Sequence, residues 1–407
     1  MRVLQNTKID FLKAKGKAIA ISVVLILIGT ADLVRKGGPR FGIDFTGGTQ
    51  IIYGFSQKPD EDQLRKIIGA TDLKVESIQR FDRPERNQVA VRVRQEKEGR
   101  DVSREVTDSL RKSLNPAAAA DAFDLNLQGE ELLLAKLQQE DPEKFATRPN
   151  ADAKVEYGRI AHSIIQQRST MGLFHSVNDA AKAPGVSPAV GEWLRQRTTA
   201  GPFTLLSAES VGPQVGKDLR EKGLWAIILS WTAMLTYIAL RFRSWSFGTA
   251  AVVALIHDTW VTLGFCSLLN VEISLTVVAS FLTLIGYSVN DTVVIFDRIR
   301  ENLPKMKRSS MEDIINLSVN QTLARTILTS ALTFLVVVTL FVFGGEVLRG
   351  FSFVLLVGLI VGSYSTIFIA SPVVIWWQKT FSKQAGKSGG TAPAPAPVTK
   401  GKTAKAR

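Results

Sequence analysis

Asp291 is the residue whose surroundings most need a chemical explanation. It follows Asn290 inside residues 271–296, an apolar stretch long enough to cross a bilayer, since about 20 helical residues span the hydrocarbon core. A carboxylate at that depth is costly, and ionisable groups in membrane spans are usually functional. On a helix, Thr283, Tyr287 and Asp291 share one face, which other helices or a water-filled path must cover. The pattern predicts a proton or ion site, or else a packing hydrogen bond between spans.

Arg325 is a second charged residue of interest, because it opens the next apolar helix and could lie at the depth of Asp291. Arg325, Thr329 and Thr333 also share one helical face. A carboxylate keeps its charge beside a guanidinium and takes up a proton more readily in an apolar setting. Alternation between the two settings would make a proton-coupled machine. The alternatives are a static Asp291–Arg325 ion pair, or an Arg325 side chain that reaches the lipid headgroups.

Asp258 is the third candidate, near the centre of residues 247–269 with His257 beside it and Thr262 on the same face one turn later. This carboxylate could relay protons or form a hydrogen bond that packs helices together. The sequence leaves both possibilities open.

Motifs of enzymes, metal sites and cofactor sites are lacking. Gly47-Gly48 is followed by no Lys-Ser/Thr at the spacing of a phosphate-binding loop. One cysteine, Cys266, allows no intramolecular disulfide, and three histidines without HxxxH spacing disfavour zinc. We therefore expect no enzymatic activity, no catalytic residue, no metal and no cofactor.

Six apolar stretches are predicted to position these residues as membrane spans: 18–34, 224–240, 247–269, 271–296, 325–343 and 351–377. The first is expected to be an uncleaved span after a basic N-terminal tail, residues 1–17. Spans two to six fill residues 223–378, and residues 379–407 are expected to be a disordered basic C-terminal tail. Ser310 and Asp313 are expected to begin a separate helix on the membrane surface.

The charge distribution predicts the topology. Of the net charge of +13, the two tails carry +4 and +7, and further Lys and Arg residues lie between the second and third and the fourth and fifth spans. All of these positions fall on one side of a six-span chain, which the positive-inside rule makes cytoplasmic. Both termini are therefore expected in the cytoplasm and residues 35–222 outside it. Basic tails beside membrane spans fit the bilayer surface and give no reason to expect nucleic acid.

Residues 35–222 read as an α+β domain. Strand and helix patterns follow one another in a β-α-β-β-α order, and residues 202–212 could supply a last strand. This order predicts a ferredoxin-like unit. Residues 116–200 interrupt it with several short helical patterns, which we expect to form an inserted helical subdomain.

Several separated segments resemble, in order, those of the SecF family, a membrane subunit that assists Sec protein export. The segments that carry the resemblance are FGIDFTGGTQI (41–51), SVGPQVGKDL (210–219), ALIHDTWVTLGF (254–265), VEISLTVVASFLTLIGYSVNDTVVIFDRIREN (271–302) and SVNQTLARTILTS (318–330). By position, Asp291 and Arg325 match the family's fourth-span aspartate and fifth-span arginine.

The resemblance implies a polytopic α-helical membrane protein, a six-span half bundle like those of RND exporters, with an external ferredoxin-like domain. It implies residence in the bacterial cytoplasmic (inner) membrane, a SecD partner, the SecYEG channel and a translocating preprotein. In that family the proton motive force moves the external domain, which pulls on the preprotein. The resemblance does not cover residues 116–200, and the chain has no second six-span half. The alternatives are half of an RND-type exporter of small molecules or lipids, or a structural subunit without proton coupling.

Overall fold

The computed structural model describes residues 7–81, 86–94, 100–115, 123–148 and 152–385. Their helices and strands follow in this order: α1 (Lys15–Arg35), α2 (Ile43–Thr46), β1 (Gly48–Phe55), α3 (Glu61–Gly69), β2 (Val75–Phe81), β3 (Gln88–Val93), α4 (Val102–Leu114), β4 (Phe123–Asp124), α5 (Glu130–Glu140), α6 (Ala153–Met171), α7 (Val177–Ala181), α8 (Pro188–Arg197), β5 (Thr198–Thr199), β6 (Phe203–Val211), α9 (Pro213–Phe242), α10 (Trp245–Leu268), α11 (Leu275–Asn302), α12 (Met311–Phe343), α13 (Gly345–Ser365) and α14 (Ser371–Ala385).

The α+β domain is built on a four-stranded antiparallel sheet. Its strand order is β2-β3-β1-β6, with α3 and α4 as the two helices, which gives the β-α-β-β-α-β arrangement of a ferredoxin-like unit. Alternating apolar residues of β1 and β3 face a core that the apolar faces of both helices complete. The β6 strand lies at an edge of this sheet and exposes Leu205 and Leu206.

Residues 123–148 and 152–199 of the insert have a core of their own, made largely by α5, α6 and α8. Asn126 connects this core to the sheet domain. Its side chain exchanges two hydrogen bonds with the backbone of Phe174 and donates a third to Gly201 O at 2.7 Å, while its carbonyl accepts from Thr204 Oγ1 on β6. Asn126 is 1% exposed, so these bonds are made away from solvent.

Six helices of the described residues are long and apolar enough to cross a membrane, which confirms the predicted number of spans. About half of the most apolar window is buried in α10 (56%) and α11 (50%), against 6% in α9 and 11% in α12. The α10 and α11 helices therefore form the interior of the bundle together with α13. The α9 and α12 helices turn most of their apolar surface outward.

The helices extend beyond several of the predicted spans. Instead of residues 18–34 the first runs over Lys15–Arg35, and instead of 224–240 the second begins at Pro213. The fourth is shifted from 271–296 to Leu275–Asn302. Hydropathy detects the part of a helix that crosses lipid, whereas backbone hydrogen bonding continues into polar ends until a cap or proline stops it.

Two further predictions are wrong. Ser310 and Asp313 do form a capping box, but the helix they begin is not a separate surface helix, because it continues without a break as α12. The C-terminal tail does not start at residue 379, since α14 runs to Ala385. Residues 386–407 and 1–6 of the predicted tails lie outside the described residues. So do 116–122 and 149–151 of the insert.

Candidate functional site: two carboxylates inside the helix bundle

Asp258 is enclosed by hydrogen-bond donors from three helices. Ser288 Oγ of α11 and Ser365 Oγ at the end of α13 donate to Asp258 Oδ2 at 2.7 and 2.9 Å. His257 Nδ1 lies 2.9 Å from Asp258 Oδ1. Asp258 itself is 1% exposed. These three bonds engage both oxygens of the carboxylate, and they tie α10, α11 and α13 together at one level of the bundle.

The His257 ring extends this network toward α1. Its Nε2 lies 3.2 Å from Tyr364 Oη, which in turn lies 3.0 Å from Ser22 Oγ. The resulting chain, Ser22–Tyr364–His257–Asp258, is continuous, and each member can both donate and accept a proton. If His257 carries its proton on Nδ1, every donor in the chain points toward Asp258.

The backbone departs from the α-helix beside this cluster. Residues Thr366–Ala370, directly after α13, form one turn of π-helix. Thr366 Oγ1 lies 3.1 Å from Thr292 Oγ1 of α11, and Ser371 Oγ donates to Thr366 O. A π turn inside a helix is a rare arrangement that is frequent at functional sites. Here it allows Ser365 and Thr366 to face α10 and α11.

Asp291 lies in a different part of the bundle, where α11 faces α12. It is 4% exposed, and Ser330 Oγ of α12 donates to its Oδ2 at 3.3 Å. The Tyr287 hydroxyl donates to the same Ser330 Oγ at 3.4 Å, and Ser363 Oγ lies 3.4 Å from it. Asp291 is thus buried like Asp258 but is held by one long hydrogen bond within the described part of the chain.

Arg325 and Asn290 lie on the outer surface of the bundle. Both are exposed, and Arg325 is near enough to act electrostatically on Asp291. Nevertheless, no Asp291–Arg325 ion pair within 4.0 Å is present among the described residues. The static ion pair considered as an alternative is therefore not formed in this structure. The predicted polar stripe is split, since Tyr287 and Asp291 meet Ser330 whereas Thr283 is exposed.

Sequence reasoning did not find Ser288, Ser365, Tyr364 and Ser330, which supply most of these contacts. Serine and threonine are common in membrane helices, so their presence gives a weak signal. A spacing of three residues from Ser288 to Asp291 places both on adjoining faces of α11, but the partner of each depends on how the helices cross. Within the described residues, no group of three or more His, Cys, Asp or Glu side chains could hold a metal ion.

The sequence matches known proteins over most of its length. Residues 193–380 match the C-terminal family model of the protein export membrane proteins SecD and SecF, and residues 37–59 match the SecD/SecF GG motif. The chain is 40% identical to protein translocase subunit SecF of Koribacter versatilis, over 93% of this chain and 94% of that protein. It is 35% identical to protein translocase subunit SecF of Rhodothermus marinus, over 92% and 95% of the two chains.

Solved structures show the same fold. The crystal structure of SecDF, a translocon-associated membrane protein from Thermus thermophilus, superposes with a TM-score of 0.61 at 24% identity and covers 93% of this chain. SecDF in its super-membrane-facing form gives a TM-score of 0.54 over 96% of this chain. This chain spans 40% and 41% of those longer chains. It is a multi-pass membrane protein and belongs to the SecF family of protein translocase subunits.

Proposed function

We propose that this subunit uses the proton motive force to promote preprotein export, together with a SecD partner and the SecYEG channel. The observation that carries the proposal is Asp291, a buried carboxylate with one long hydrogen bond and an exposed arginine nearby. A buried ionisable group without a close charged partner is expensive to keep in a membrane, and such groups line proton pathways in pumps and transporters.

In this proposal, uptake or release of a proton changes how strongly Asp291 interacts with Arg325. When Asp291 is ionised, its charge attracts Arg325, and closer approach of the guanidinium would bring α11 and α12 together at this point. Protonation removes the attraction, and the neutral acid can keep the hydrogen bond that it accepts from the hydroxyl of Ser330. Moving one charge through the membrane potential yields about 2.3 kcal/mol per 100 mV, enough to shift a two-state equilibrium several-fold or more.

We assign Asp258 mainly to the packing of the bundle. Both of its oxygens are engaged by donors from neighbouring residues, so its hydrogen bonds position the three inner helices. The chain through His257 and Tyr364 forms a branch of the proposed proton path. Replacement of Asp258 by alanine and by asparagine separates proton conduction from packing.

The exposed face of α11 supports a second membrane subunit as partner. Small and polar residues repeat along it and are exposed, namely Thr276, Ala279, Thr283, Gly286 and Asn290. The exposed surface of α12 after Arg325 is by contrast made mostly of large apolar residues, among them Leu328, Leu332 and Leu335. The surface of α12 is therefore suited to contact with lipid, whereas that of α11 is suited to close packing against another helix. SecD is the partner that we assign to this face.

The membrane orientation is proposed from charge and contacts. Lys15 of α1 and Lys379 of α14 both contact Glu312 at the start of α12, at 2.9 and 3.3 Å. Both ends of the described chain therefore lie at one end of the bundle, and the α+β domain follows the other end of α1. The basic residues at the first end favour a cytoplasmic location for it, and we assign the α+β domain to the opposite side of the bacterial inner membrane.

The test is preprotein export in membrane vesicles that contain SecYEG, SecD and this chain, with and without a proton gradient. We expect Asp291→Asn to abolish the gradient-dependent increment while the complex still assembles. Asp297→Asn is the matched control, because Asp297 lies on the same helix but is partly exposed and pairs with Arg241 at 3.5 Å. An Asp291→Asn variant with normal gradient dependence would show a structural subunit without proton coupling.

A further inference from the structure

The segment before β1 is hydrogen-bonded to the start of α11. The Gly42 N–H donates to Ile273 O at 2.9 Å, and the Ile273 N–H donates to Arg40 O at 2.8 Å. Asp44 Oδ2 accepts from the Leu275 N–H, the first residue of α11, at 2.8 Å. Asp44 thus caps a helix far away in sequence, where a carboxylate is also favoured by the helix dipole. We call residues 40–44 and 272–275 the outer joint.

A largely buried ion pair links the sheet to the same joint. Arg92 of β3 pairs with Glu272, and Gln50 of β1 accepts from Arg92 Nε and Nη2 at 2.9 and 2.8 Å. Arg92 is 8% exposed, and Gln50 is its cross-strand partner in the sheet. A Cβ on Gly42 would lie 2.6 Å from Glu272 Oε1, so the backbone of the joint is also in close contact with this ion pair.

The residues that follow the joint are fixed on a second membrane helix. Gly47 has a φ of +72°, and a Cβ there would lie 2.7 Å from Pro213 Cα at the start of α9. A Cβ on Gly216 of α9 would lie 2.8 Å from Gly47 N. Glycine at both positions permits this contact of backbone with backbone. The entry to the sheet is therefore attached to α9 as well as to α11.

We propose that the Arg92–Glu272 ion pair transmits displacement of α11 to the sheet of the α+β domain, and that both residues act as positioning residues. The inference rests on the proposed proton coupling at Asp291, which lies on the same helix about 24 Å from Leu275 at 1.5 Å per residue. A helix is a stiff element, so a shift at Asp291 moves the outer end of α11. Because Asp44 caps α11 and Arg92 pairs with Glu272, we expect the sheet to move with the outer end of α11.

The first experiment is a double-mutant cycle of Arg92→Gln and Glu272→Gln in the export assay with SecYEG and SecD. We expect each single variant to lower the gradient-dependent increment about threefold or more, a usual effect of residues that couple two sites. Export without the gradient is expected to stay unchanged. The double variant is expected to be no worse than either single variant, because the two residues act through one contact.

Arg94→Gln with Glu76→Gln is the matched control. These residues form an ion pair at 3.1 Å between β2 and the residue that follows β3, but the pair is more exposed and does not touch the joint. If a single variant of the joint assembles poorly, the double variant remains usable, because it leaves no buried charge without its partner.

A second experiment needs no export. Hydrogen–deuterium exchange of the purified full chain should be faster at the amides of Gly42, Ile273 and Leu275 in Arg92→Gln and unchanged in Arg94→Gln. Unchanged exchange in Arg92→Gln would overturn the inference. So would equal losses of export with and without the gradient, since these indicate a merely structural role.

The outcomes also separate the inference from the proposed function. If Arg92→Gln keeps full gradient dependence while Asp291→Asn loses it, the joint is not the link, although proton coupling stands. If Asp291→Asn keeps full gradient dependence, the proposed function fails, and the exchange result still reports whether the ion pair orders the joint.

Discussion

Replacement of Asp258 by alanine and by asparagine should have very different effects, because the two variants treat its hydrogen-bond partners differently. In Asp258→Ala, Ser288, Ser365 and His257 lose the acceptor that they share. Ser365 keeps a hydrogen bond to Gly362 O at 3.2 Å, whereas Ser288 Oγ and His257 Nδ1 are left without a partner. Each buried polar group in that state costs about 1–3 kcal/mol, so the loss is on the order of 2–6 kcal/mol before the structure relaxes. The shortened side chain also leaves a small cavity, which adds to this loss.

Asp258→Asn can keep all three bonds. The amide oxygen accepts from Ser288 and Ser365, and the amide nitrogen donates to His257 Nδ1 if the imidazole moves its proton to Nε2. His257 Nε2 then donates to Tyr364, whose hydroxyl donates to Ser22, so that the direction of the whole chain reverses. We expect a loss of about 1 kcal/mol, the typical worth of one imperfect hydrogen bond.

The assay is thermal unfolding of the purified full chain in detergent, in which 1 kcal/mol shifts the midpoint by roughly 2 °C. Asp258→Ala should lower the midpoint by about 4 °C or more and Asp258→Asn by about 2 °C. Asp297→Ala, which removes a partly exposed carboxylate, is the control. Equal destabilisation by alanine and asparagine would refute the hydrogen-bond reasoning. If Asp258→Asn is stable but loses gradient-dependent export, the residue is a relay as well as a packing group.

Two other substitutions test how the parts of the chain are joined. A Cβ on Gly29 of α1 would lie 2.6 Å from Gly264 Cα of α10. Gly29→Val should therefore separate these helices and lower the free energy of unfolding by about 1–3 kcal/mol. Gly16→Val is the control, because Gly16 has open space around it and the substitution should not separate the helices. Asn126→Ala removes three buried side-chain hydrogen bonds and should greatly accelerate proteolysis between the insert and β6. Asn178→Ala is the control, because Asn178 is exposed and its replacement should leave the cleavage rate unchanged.

The sequence predicts the parts of this fold that depend on local patterns. The number of spans follows from hydropathy, and the order of strands and helices in the α+β domain follows from alternation and helical periodicity. The wrong helix ends have a common cause, because the polar start of α9 and the capped start of α12 continue apolar spans into water. Hydropathy carries no information about such extensions.

Contacts between distant residues could not be predicted in the same way. Asp258 and Asp291 stand out as charges in apolar stretches, but Tyr364 and Ser365 are unremarkable until α13 crosses α10. Arg92 lies 180 residues from Glu272 and reads as an ordinary exposed residue of a strand. Only the fold brings these partners together, and each pairing depends on a particular crossing of helices or register of strands.

The two buried carboxylates are suited to different tasks, and the difference lies in what surrounds them. Asp258 holds both oxygens in short hydrogen bonds to residues of this chain, so a change in its protonation must also change the tautomer of His257 and the direction of the hydrogen-bond chain through Tyr364. Asp291 has one long bond to Ser330 and lies near the exposed face of α11 that carries Asn290. A partner at that face can change its environment with little rearrangement of this chain. Coupling to a second subunit therefore favours Asp291, and stability of the bundle favours Asp258.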